Sequence, residues 1–167
     1  LGPDPAQAGG TPYEYENVPK FFTDHEFETV GVLSDWVIPA DDRSGSATDA
    51  NVPAFIDFMM VDQPWRQTPI RGGLAWVDGE TNARFDAPFV DCSEAQQQEL
   101  LDVIAYPESA PDDMRHGVQF FNHFRDLVAS GFWTTQMGIE DLGYVGNQFV
   151  QEWTGCPDEV QQAIRNA

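Results

Sequence analysis

Lysine is nearly missing from this chain. Lys20 stands alone among 167 residues, and Lys plus Arg total 8 against 28 Asp plus Glu, a formal net charge of −20. Clustered cations are what displace phosphate counterions, so nucleic acid and anionic membrane surfaces are excluded as partners. Long apolar runs are missing too: Val30 to Leu33 and Trp36 to Ile38 are typical, far short of the roughly 20 residues that cross a bilayer. No direct membrane insertion is expected. Two cysteines, Cys92 and Cys156, without a C-x-x-C pair, exclude a four-cysteine metal site. There is no G-x-S-x-G elbow, no G-x-G-x-x-G, no P-loop and no H-E-x-x-H. Sustained β-branched alternation is also scarce, which leaves an all-α chain.

What is present is enough apolar material for a core, 41% hydrophobic and 13% aromatic residues, in a length suited to one domain. The chain begins at Leu1 with a Pro/Gly-rich lead to Thr11, the pattern of a trimmed precursor, so any export signal would lie ahead of it. Residues 1–22 read as an extended arm in which Tyr13, Glu14, Tyr15 and Glu16 alternate between Pro12 and Pro19. Residues 23–167 read as one helical domain, an irregular bundle of about five to six helices. Thr23 and Glu26 form a capping box ahead of Phe27, Val30, Leu33, Trp36 and Val37, predicting a helix over 24–38. A second helix starts near Asn51 and stops at Pro64, with Phe55, Ile56, Met59 and Met60 as its buried stripe. A third spans 68–85, weakened by Gly72, Gly73 and Gly79. Ser93 and Gln96 cap a fourth over 94–105, and Met114, Val118, Phe121, Phe124, Leu127 and Val128 mark a fifth over 112–130 that Gly131 ends. Phe132 to Gly155 reads as a long structured loop, with a short turn near 147–153, before a terminal helix over 158–165.

Candidate chemistry is thin. His116 and His123 share a helix face, yet seven residues separate their Cα atoms by about 10 Å, too far for one ion at the usual helical spacing. Asp41, Asp42 and Asp49 lack the pattern of a calcium loop, and acidic residues around His25 suit a helix start. The cysteines leave three states open: a disulfide closing about 65 residues, worth roughly 4 kcal/mol, a bond from Cys156 to another subunit, or two free thiols. The richer signal is aromatic. Phe120, Phe121, Phe124, Phe132, Trp133, Tyr144, Phe149 and Trp153 crowd a stretch whose second half is glycine-rich and loop-like, and rings that local structure cannot bury serve interfaces. The strong acidity suits a protein held soluble in salty surroundings, and equally an ordinary acidic secreted protein.

The run Leu33-Ser-Asp-Trp-Val-Ile-Pro-Ala-Asp-Asp42, followed by Val52-Pro-Ala-Phe-Ile-Asp57, resembles a segment of the gluconate 2-dehydrogenase subunit 3 family. So do Phe121-Asn-His-Phe-Arg-Asp-Leu-Val-Ala-Ser-Gly-Phe-Trp133, Tyr144-Val-Gly-Asn147, and Trp153 with Gly155 and Pro157. The departures are Val145 in the Tyr-Gly-Gly-Asn element and an insertion-like Met137 to Leu142 stretch. The resemblance implies an all-helical, non-catalytic accessory subunit with no cofactor of its own. Its partner would be a large FAD-dependent catalytic subunit of the glucose–methanol–choline type, often with a cytochrome c subunit. It implies a periplasmic or otherwise extracytoplasmic complex, twin-arginine export, and a role in folding, export and stability of the partner. In that compartment Cys92 and Cys156 are expected to be oxidised, with each other or through Cys156 to the large subunit. The Gly131–Trp153 segment (Phe132, Trp133, Tyr144, Asn147, Trp153) and the arm residues Tyr13 and Tyr15 are the expected contact surface. The rival reading is a stand-alone acidic binding module, metal-binding in one version.

Overall fold

Thr23 caps the first helix by accepting a hydrogen bond from the Glu26 N–H (3.2 Å) while the Glu26 carboxylate takes the Thr23 N–H (2.9 Å). This reciprocal cap satisfies two of the amide groups that a helix start leaves open. In the computed structural model, which describes residues 19–144, 146, 155, 156 and 158–166, the helices follow in this order: α1 (Asp24–Val37), α2 (Val52–Asp62), α3 (Gln67–Phe85), α4 (Glu94–Ile104), α5 (Arg115–Trp133), α6 (Gln136–Asp141) and α7 (Asp158–Asn166). Short 3-10 turns at Pro64–Arg66, Phe89–Asp91 and Asp112–Met114 lead into α3, α4 and α5. No strand occurs among the described residues, as the sparse alternation predicts.

Helix α5 is the axis of the bundle and packs against α1, α2, α3, α4 and α6. Its buried residues include Val118, Phe121, Phe124, Leu127 and Val128, three and four apart along one face, so burial follows the 3.6-residue period. Opposite them lie Val30 and Leu33 of α1, Ile56 and Met60 of α2, Leu74 and Val77 of α3, and Leu100 and Ile104 of α4.

Two reciprocal notches set the spacing of α3 and α5. A Cβ at Gly73 would sit 1.9 Å from the Phe120 ring, and one at Gly117 would sit 2.2 Å from the Trp76 ring. Each helix thus seats an aromatic on the other's glycine. Gly73, which weakens the helical pattern in sequence, is what admits its neighbour. Gly131 acts the same way under Phe55 and Val52 of α2. It does not end α5, contrary to the sequence expectation, because its missing side chain is needed for packing inside the helix.

The entry segment is tied down by one side chain. Asp57, buried on α2, accepts the backbone N–H groups of Lys20 (2.7 Å), Phe21 (3.0 Å) and Phe22 (3.0 Å). Arg71 of α3 adds a hydrogen bond to the Phe21 carbonyl (2.9 Å), an ion pair with Glu26 (2.6 Å) and a stacking contact over the Phe21 ring. Phe22 is consequently a core residue, although the arm was expected to run to residue 22.

A third tie joins α1 to α3. His25 Nε2 lies 2.6 Å from Asp78 Oδ2, and the other oxygen of Asp78 accepts the Phe89 N–H. The hydrogen bond that His25 donates to the Asp78 carboxylate raises the His25 pKa above its ordinary 6.5, outweighing partial burial, which lowers it. Because the folded value is the higher one, this contribution is complete below the unfolded pKa and is lost as pH rises through the folded one. Stability should therefore drop slightly on going from pH 6 into the alkaline range, by less than about 1 kcal/mol because the imidazole is largely solvated. Urea titrations at pH 6 and pH 8, below the range where the buried Cys92 thiol contributes, check this: His25→Gln should remove the difference, and an equal difference in the variant would assign it elsewhere.

Candidate functional site

The sequence placed its interaction surface between Gly131 and Trp153, and the structure divides that stretch. Helix α5 does not stop at 130 but continues through Trp133, and a short helix, α6, occupies part of the expected loop. Thr134 and Thr135 make the corner between them. The Thr134 hydroxyl donates to the carbonyls of Ser130 and Gly131, the Thr135 hydroxyl donates to Phe132, and Thr135 also accepts the Gly138 N–H (3.1 Å). Gly138 is needed here, since a Cβ would stand 2.2 Å from the Phe132 carbonyl oxygen. The end of α6 is a Schellman motif: Gly143 is left-handed (φ 63°), its N–H donates to Glu140, and the Tyr144 N–H reaches back to Ile139.

This corner sorts the aromatics. Phe132 is fully buried, so its expected place at a partner surface is corrected: it is a core residue, with Trp133 edge-on at 5.0 Å. One residue further, about 100° around the helix, Trp133 is 37% exposed. Ile139, Leu142 and Tyr144 (62%) are exposed on and just after α6, so four large apolar residues are presented to solvent at one end of the bundle. Tyr13, Tyr15, Asn147 and Trp153 lie outside the described residues, as does the whole 147–153 turn.

The polar loop Pro39–Asn51 buttresses this end. Arg43 bonds the Asp141 carbonyl oxygen and lies 3.0 Å from its carboxylate, joining the loop to the last turn of α6. Its aspartates hold backbone. Asp41 accepts the N–H groups of Arg43 and Ser44, Asp49 accepts that of Ser46, and Asp35 of α1 takes both the amide and the hydroxyl of Thr48. Those two backbone bonds also hold the Asp41 carboxyl below its ordinary pKa. Among the described residues no group of three or more His, Cys, Asp or Glu is arranged to hold a metal ion.

The cysteines are not paired with each other. Cys92 is buried with its thiol toward the Ala87 carbonyl, and burial raises its pKa, whereas Cys156 is exposed on the C-terminal segment. Of the two oxidised states expected from the export reading, the internal disulfide is not formed, since one thiol faces the core and the other solvent.

Two further surfaces escaped the sequence reading. Phe58, Val61 and Trp65 are about half or more exposed on α2 and the turn after it; the signal was there, since Val52–Asp62 has almost no polar face. The other is a groove of about 490 Å³ between α3 and α5 that contains both His116 and His123. Among the described residues no helix is long and apolar enough to cross a membrane.

Compared with known proteins, residues 24–154 match the family described as Gluconate 2-dehydrogenase subunit 3. No curated protein and no solved structure matches the chain.

Proposed function

Because the chain belongs to the gluconate 2-dehydrogenase subunit 3 family, we propose that it is the non-catalytic small subunit of an FAD-dependent sugar or alcohol dehydrogenase complex. In this reading the flavin and the catalytic base belong to a large subunit of the glucose–methanol–choline type, a cytochrome c subunit takes the electrons in one version of the assembly, and this chain carries no cofactor. The complex works outside the cytoplasm, reached through twin-arginine export, and the small subunit supports folding, export and stability of the large one.

The observation that carries the interface is the apolar end built by Trp133, Ile139, Leu142 and Tyr144. Water covers these side chains in the free chain, and removing apolar surface from water is worth roughly 25 cal/mol per Å². The corner is held by threonine hydroxyls and a glycine-dependent close approach rather than by the exposed side chains, so it needs no partner to form. A preformed patch of this kind binds with little ordering cost. Tyr13, Tyr15, Asn147 and Trp153 extend the same contact in this proposal, and Cys156, exposed and free, is available for a bond to the large subunit.

Trp133→Ala should weaken association with the large subunit by ten- to a hundredfold, the cost of an aromatic anchor of about 1–3 kcal/mol, while the isolated chain melts within a few degrees of wild type. Co-purification with the large subunit and calorimetry on the isolated chain measure the two effects. Equal losses in both would make Trp133 a fold residue and remove this interface.

A further inference from the structure

The groove between α3 and α5 has an aromatic floor, Trp76 and Phe120, each locked in place by the opposing glycine. Its rim carries Pro69 and Gly72 from α3 and His116, Gln119 and His123 from α5. None of its ten lining residues is acidic, on a chain with 28 Asp plus Glu. Covering a carboxylate without pairing it is costly. This groove is therefore a place where a partner can bury surface without stranding one.

Gly72 sharpens the point. A glycine inside an exposed helix destabilises it relative to alanine, and Gly73 offsets that by admitting Phe120. Gly72 has no atom within 4 Å of where its Cβ would stand. Among the described residues nothing packed against α3 requires it. Trp65, 70% exposed, belongs to the turn Pro64–Arg66 that leads into α3, seven residues before Gly72. Exposed carboxylates bracket the groove on the α5 side: Asp112 and Asp113 before its first turn, and Asp126 three residues past His123. At 1.5 Å per residue the two ends are about 20 Å apart.

Resting on the accessory-subunit reading, we propose that this groove is a second docking site for the large catalytic subunit. It takes one segment with an apolar or aromatic side chain at its centre and a Lys or Arg toward each end. The central side chain lies on Trp76 and Phe120, where Gly72 lets the partner's backbone approach closely, and the cations meet Asp113 and Asp126. Charge complementarity sets the register and the apolar floor supplies the anchor.

Gly72→Leu tests this by filling the groove from a position with free space around it. Using the large subunit separated from the native complex, biolayer interferometry should show a Kd raised at least tenfold, while the isolated variant melts at or above the wild-type temperature. Asp113→Lys combined with Asp126→Lys should raise Kd several-fold and flatten its salt dependence. An unchanged Kd in folded Gly72→Leu overturns the groove assignment; should that variant not fold, an unchanged Kd in the double aspartate variant does so. Trp133→Ala in the same assay separates the two ideas. A loss with Trp133→Ala but not with the groove variants leaves the subunit reading standing and removes the groove, whereas no binding by wild type removes both.

Discussion

Asp57→Ala is expected to lower the melting temperature of the isolated chain by roughly 10 °C, from a loss of about 3–4 kcal/mol at 2–4 °C per kcal/mol for a chain of this size. The carboxylate is buried and takes three consecutive amides, those of Lys20, Phe21 and Phe22. Charge-assisted bonds of this kind are each worth about 1.5–3 kcal/mol, and alanine leaves the donors unsatisfied in a pocket that water reaches poorly. The loss also frees Phe22 to leave the core. Asp57→Asn should fall between, because its remaining carbonyl oxygen can keep the Phe21 and Phe22 amides while the new NH₂ group faces the Lys20 N–H. Hydrogen exchange at Lys20–Phe22 should lose protection before any helix does. A melting shift under about 2 °C for the alanine variant would show that Arg71 and the Phe22 side chain hold the segment without it.

The same change, Gly→Ala, should have opposite signs at two positions of α3. At Gly79, where a Cβ would meet nothing within 4 Å, alanine should stabilise by about 0.5–1 kcal/mol through helix propensity and the entropy of the unfolded chain. At Gly73 the Cβ would collide with the Phe120 ring at 1.9 Å. Phe120 is buried and packs against the Phe124 ring at 5.6 Å, so it has little room to yield. Overpacking there should cost about 1–3 kcal/mol after the propensity gain. Denaturant titrations give both signs, and adding Phe120→Ala to Gly73→Ala should cost less than the sum of the two single changes. If Gly73→Ala proves stabilising, the close approach of α3 and α5 is not what the glycine serves.

The helices were legible because their signals are local. Thr23 with Glu26 and Ser93 with Gln96 announce starts, Pro39 and Pro64 announce stops, and the apolar period on α5 names its buried face. Helix α6 escaped notice because six residues with Gly138 near the start carry too little periodicity to read. Its Gly143-Tyr144 ending was the available sign. The sequence singled out Trp133 and Tyr144, whose side chains are exposed, together with Phe132, which is buried. Which of two adjacent rings faces inward depends on whether the helix continues, and that depends on Gly131 fitting beneath Phe55.

By itself the sequence determined the all-α class, most helix boundaries and the family resemblance, since these rest on residues close together along the chain. Tertiary structure alone decided the role of Asp57 as a clamp on residues 20–22, the use of Gly73, Gly117 and Gly131 as packing notches, the separate environments of Cys92 and Cys156, and which apolar faces remain open. Each of those depends on groups between 35 and 79 residues apart, or on what a whole helix face meets. Periodicity shows that a helix has an apolar face. Only packing shows how many such faces find cover, and among the described residues α2, the α3–α5 groove and the α5–α6 corner do not.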